Sequence, residues 1–93
     1  MKNEVSDEVS VEVSINDQQV NNLDISLNII ESDMVSLTIT DALYGTTMIT
    51  RLFFMGKGIN RIIIDMSSLD SPEYFLLLTS GNGDILYNRQ FVN

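Results

Sequence analysis

Apolar and polar residues alternate one by one along three stretches of this chain. Val9, Val11, Val13 and Ile15 alternate with Glu8, Ser10, Glu12 and Ser14. Leu23, Ile25, Leu27 and Ile29 alternate with Asp24, Ser26 and Asn28. Val35, Leu37 and Ile39 alternate with Ser36, Thr38 and Thr40. Successive side chains of a strand point to opposite faces, so a period of two gives each stretch one buried face and one wet face. A helix would need apolar residues three and four apart, and no long window supplies them.

The second half is more apolar. Residues 47–54, 59–65 and 73–80 read as strands with apolar residues on both faces, which predicts central strands whose second face is covered by a loop or a neighbour. A last strand spans about 84–92. Turn residues separate the strands. Gly81-Asn82-Gly83-Asp84 holds an Asn-Gly pair suited to the positive φ angles of a type I′ hairpin. Pro72, the only proline, breaks any ladder at the corner Asp70-Ser71-Pro72-Glu73. Asp41 to Gly45 links two more strands, and Gly45 is free to take a left-handed conformation. About seven short strands with turns every eight to twelve residues predict an all-β, antiparallel, immunoglobulin-like sandwich, with a small barrel as the competing architecture. Residues 8–93 form that single domain, and residues 1–7 are the segment expected to be disordered.

Tyr74 follows Leu69 and the Pro72 corner. A tyrosine so placed either turns its hydroxyl back to an upstream carbonyl and pins the corner, or is an ordinary half-buried residue. Residues 48–55 pose a second open question. One buried face cannot hold Ile49, Leu52, Phe53, Phe54 and Met55 together. A loop, a partner protein or a second copy forming a homodimer would cover the remainder.

Composition removes several chemistries. The 93 residues include no Cys and no His, which excludes disulfides, thiol nucleophiles, imidazole bases and Cys- or His-ligated metal. No apolar run is long enough for a membrane-spanning helix. A net charge of −8 has the wrong sign for gripping phosphates, so nucleic acid is not an expected partner. Eight of the thirteen acids lie within residues 1–33, the pattern of a solvated acidic face. Carboxylate pairs could in principle run glycoside hydrolysis, but a chain this small without Trp has little with which to build a sugar groove, so no enzyme is expected. Asp84 with Asn82, and Asp70 with Glu73, could offer oxygen ligands to calcium; neither has a calcium-loop spacing, and ordinary turn chemistry explains both. No cofactor or metal is expected. Arg51, Lys57, Arg61 and Arg89 could cluster on adjacent strands as a small positive patch, but the default reading is solvated strand residues or ion-pair members. The opening MKNEVSDEVS lacks the basic start and apolar core of a secretory signal, which suits either a cytoplasmic protein or a piece of a longer exported one.

From residue 23 onward the order of motifs is distinctive. Leu23-Asp-Ile-Ser-Leu is followed by Val35-Ser-Leu-Thr-Ile-Thr-Asp41-Ala-Leu-Tyr-Gly45, then Ile62-Ile-Ile-Asp65-Met-Ser-Ser-Leu69. Glu73-Tyr74-Phe75-Leu-Leu-Leu78, Gly81-Asn-Gly-Asp-Ile and Arg89-Gln-Phe91-Val92 complete it. This order, over about three quarters of the chain, resembles the type A C-terminal sorting domains of the type IX secretion system of Bacteroidetes, and small secreted sandwich domains of the same bacteria. The resemblance implies a non-enzymatic domain of an exported protein, periplasmic, extracellular or on the cell surface. Its partner would be the secretion machinery or another protein. The recognition hairpin would comprise Gly81, Asn82, Gly83, Asp84, Arg89, Phe91 and Val92, with Gly45, Leu69, Pro72 and Tyr74 in structural roles. A freestanding, fibronectin-III-like binding module is the alternative it leaves open.

Overall fold

The computed structural model describes residues 10–15 and 22–92. The segment 1–7 lies outside them. Seven strands are found among the described residues: β1 (Ser10–Ile15), β2 (Asn22–Ile29), β3 (Asp33–Asp41), β4 (Thr47–Met55), β5 (Gly58–Asp65), β6 (Glu73–Ser80) and β7 (Ile85–Val92). They form two antiparallel sheets in the orders β1-β2-β5 and β4-β3-β6-β7. Compared with the constant-type immunoglobulin arrangement, the fourth strand has left the first sheet and pairs with the third.

The alternation sets which face is inside. Leu23, Ile25, Leu27 and Ile29 of β2 meet Val35, Leu37 and Ile39 of β3 and Tyr74, Leu76 and Leu78 of β6 in one buried cluster. Met55, Ile62, Ile64, Met66 and Phe91 close its ends, and Val11 packs against it from β1. Chain crossings between sheets are short. The β4–β5 crossing has only Gly56 and Lys57 between the strands. Gly58 takes φ 108°, a conformation that L side chains resist, and Asn60 Nδ2 donates to the Gly56 and Gly58 carbonyls at 2.8 and 3.2 Å.

Two expectations change. β6 is central, but β4 and β5 are edge strands, despite apolar residues on both faces. In β4, Met55 is buried and Ile49 and Phe53 pack against the core, whereas Leu52 and Phe54 are 66% and 70% exposed. No loop among the described residues covers those two. The physical reason is alternation: Leu52 and Phe54 lie opposite Ser36 and Met34 on the outer face, while Ile49 and Phe53 lie opposite Ile39 and Val35 on the inner one. The β6–β7 hairpin also differs from a type I′ turn. Gly83 N–H donates to the Ser80 carbonyl at 2.9 Å, which puts Gly81 and Asn82 at the central positions. Gly83 follows them with φ 89°, and Ser80 N–H donates to the Asp84 carbonyl at 2.8 Å. This is the three-residue loop with a left-handed glycine at its end.

On the outer face of the smaller sheet, Arg61 of β5 reaches diagonally to Asp24 of β2. Its Nε donates to Asp24 Oδ1 at 2.8 Å and its Nη2 to Oδ2. That hydrogen bond holds the Asp24 carboxyl below its ordinary value, and hydrogen bonds from Ser67 do the same for Asp65. A lowered native pKa stabilises above the unfolded value, and the contribution is lost as pH falls through the native one. Asp24→Asn should therefore lower the melting temperature slightly at neutral pH and low salt. The gap to the parent chain should close in acid and in high salt, because the pair is exposed and screened. A gap that widened on acidification would contradict this pairing.

Candidate functional site

Hairpin and corner lie at opposite ends of the sandwich. At one end the β6–β7 tip, Gly81 to Asp84, is exposed throughout. It is held to the first residue of β3 by one hydrogen bond: Gly81 N–H donates to Asp33 Oδ2 at 3.3 Å. A Cβ at residue 81 would lie 2.5 Å from Asp33 Oδ1, so a side chain there would push the carboxyl aside. Asp84 N–H donates to Ser80 Oγ at 3.1 Å, which fixes the second side of the loop. Between tip and connection lies an open cleft of about 480 Å³. Ile29, Ile30, Val35 and Leu86 line its apolar part, and Glu31, Asp33, Asn82 and Asp84 its polar part. Asn82 and Asp84, one of the two calcium pairs considered from sequence, thus share a cleft. No group of three or more acidic residues among the described residues is close enough to hold a metal ion together.

At the other end Asp41 closes β3. The inward series Val35, Leu37, Ile39 continues to it, and it is 8% exposed. Its Oδ1 accepts from Leu43 N–H at 2.8 Å and from Ser71 Oγ at 2.9 Å. Ser71, also buried, presents the same hydroxyl to the Glu73 carbonyl at 3.0 Å. Its backbone N–H donates to Tyr74 Oη at 3.0 Å. Tyr74 is 1% exposed, not half-buried, and its hydroxyl pins the corner by accepting from an upstream amide rather than by donating to a carbonyl. The ring lies 5.5 Å from that of Phe91, tilted by 38°. Gly45 has φ 72° and donates its N–H to the Asp41 carbonyl at 2.8 Å. Leu69 N–H bonds the Met66 carbonyl, and the Leu69 side chain packs on the core. Pro72 is exposed on the corner, as is Asp70. Glu73 Oε1 accepts from Gln90 Nε2 at 3.3 Å.

The residues expected to form one recognition surface are thus divided. Gly81, Asn82, Gly83 and Asp84 make the tip; Val92 lies a full strand away, about 24 Å at 3.4 Å per residue. Arg89 is exposed on β7, and Phe91 is core. The basic residues do not gather. Arg51 and Arg89 lie on opposite edges of the four-stranded sheet, Lys57 is in the β4–β5 crossing, and Arg61 is engaged by Asp24. Two contacts were not anticipated: Ser71 to Asp41, and Gly81 to Asp33. The first had a signal, since period two carries Asp41 onto the inner face. The second joins residues 48 apart by loop geometry, which no local pattern encodes.

Among the described residues no helix is long and apolar enough to cross a membrane. In comparisons with known proteins, no family model matches the chain and no curated protein is significantly similar to it.

Proposed function

We propose that this chain is a non-enzymatic recognition domain of an exported protein, read by the secretion machinery through its β6–β7 hairpin. One observation carries most of the reading: β7 is a free edge strand that ends one sheet, and the hairpin tip joining it to β6 is exposed yet fixed on Asp33. A partner meets a surface already in its binding shape, which reduces the ordering cost of association. The outer face of the same sheet exposes Leu52 and Phe54 on β4 and, toward the corner end, Phe75 and Val92, which offers a protein partner further apolar area. The homodimer considered through residues 48–55 would use part of this face. The resemblance of the chain's motif order to that of type IX sorting domains supports export as the context.

Export of a reporter fused upstream tests the proposal. Asn82→Lys combined with Arg89→Glu alters two exposed positions and leaves the core untouched. Export should fall about tenfold or more, the loss of roughly 1.4 kcal/mol of recognition, at an unchanged melting temperature. Export at the parent level would contradict the hairpin reading. The cleft between the β2–β3 connection and the hairpin favours a second reading, a freestanding binding module that uses its loop end. In that case the fused reporter is not exported at all, with or without the substitutions.

A further inference from the structure

We infer that β5 is the edge through which two copies of this chain pair, joining their three-stranded sheets into one. The inference is independent of the export reading. It begins from how the two edges of the four-stranded sheet are guarded. A free strand edge displays unpaired N–H and C=O groups, and proteins blunt such edges with bulges and inward-facing charges. β4 has both devices: its register with β3 slips between Ile39 and Thr40, and Arg51 lies opposite Leu37, on the inner-face side. β7 has both as well: its register with β6 slips between Leu78 and Thr79, and Arg89 lies opposite Leu76. β5 has neither. It pairs with β2 without a slip from Gly58 to Asp65, and its inner-face positions are Gly58, Asn60, Ile62 and Ile64. It has no proline, and its outer positions include Ile59 and Ile63, 80% and 58% exposed.

The occupant follows from charge. The outer face of β5 reads Ile59, Arg61, Ile63, Asp65. In an antiparallel pair, directly opposed residues share a face. A two-fold axis at Ile63 sets Ile63 against Ile63 of the second copy and Arg61 against its Asp65, twice over by symmetry. On the inner face Ile62 meets Ile64, so the two cores become continuous. A shift of one residue toward the N-terminus places Arg61 opposite Ile63, and a shift of two places Arg61 against Arg61. Only the Ile63-centred register among these matches opposite charges and apolar residues together. The Arg61 contact with Asp24 uses Nε and Nη2, which leaves the donors of Nη1 for the second copy. Each molecule has a net charge of −8, so association is opposed by general repulsion and should strengthen at moderate salt.

Sedimentation equilibrium of the full chain, a 10.5 kDa monomer, tests this. The parent chain should show a reversible monomer–dimer equilibrium. Ile63→Lys, which brings like charges face to face, should weaken it about tenfold or more. Asp65→Lys should weaken it similarly, and adding Arg61→Glu to Asp65→Lys should restore it to within about threefold of the parent. Phe54→Lys, on the other sheet, should leave it unchanged. A parent chain that stays monomeric at millimolar concentration would overturn the inference. So would a dimer lost in Phe54→Lys but kept in Ile63→Lys, or a double swap that fails to restore association while folded.

Discussion

Asp41→Ala should lower the stability of this domain by about 2–3 kcal/mol, because it strips the acceptor from two donors at a part-buried corner. A domain of this size shifts its melting temperature by roughly 4–8 °C per kcal/mol, so the expected drop is on the order of 10–20 °C. The Glu73 carbonyl, already within reach of the Ser71 hydroxyl, limits the loss. Asp41→Asn keeps an oxygen where Oδ1 stands and should cost under about 1 kcal/mol if hydrogen bonding is what matters. Tyr74→Phe removes the acceptor of the buried Ser71 N–H and should cost about 1–2 kcal/mol. Ser71 bridges the two residues, so the combined variant should lose less than the two single losses together. Thermal melts of Asp41→Ala, Tyr74→Phe and the combined variant decide it; strict additivity would mean that Asp41 and Tyr74 act separately.

This corner also shows what can be read from such a sequence. Period two is enough to put Leu23 to Ile29 and Val35 to Ile39 inside, and it extends without a break to Asp41. A carboxyl on an inner face must find donors, so a buried polar corner is already implied there. Its partners are not, because Ser71 arrives from thirty residues away and its position depends on how the β5–β6 connection crosses between sheets. The hairpin tip was placed correctly but its turn type was not. Asn-Gly satisfies a type I′ turn and equally the last two residues of a three-residue loop, and the register slip at Leu78 and Thr79 selects the second. Strand order was the least legible property. Apolar residues on both faces of β4 and β5 argue for central strands when read locally. In the folded chain they mark exposed area on edges, at Leu52, Phe54, Ile59 and Ile63. Sequence cannot distinguish a residue covered by a neighbouring strand from one left for a partner, since both require the same side chain.

The central claim is geometric: alternate residues of β2, β3 and β6 form the shared core, and outer-face residues of the edge strands β4 and β5 stay in water. The chain has no cysteine, so single substitutions report side-chain exposure without background. Leu37→Cys, Leu76→Cys, Leu52→Cys and Ile63→Cys should be labelled with a thiol reagent in the native state, at concentrations low enough to keep the chain monomeric. Leu52→Cys and Ile63→Cys should react at rates close to those of the unfolded chain. Leu37→Cys and Leu76→Cys should react about a thousandfold more slowly or less, because labelling must wait for an opening that costs about 4 kcal/mol or more. Rapid labelling at residues 37 and 76, with protection at 52 and 63, would mean that the sheets face the other way.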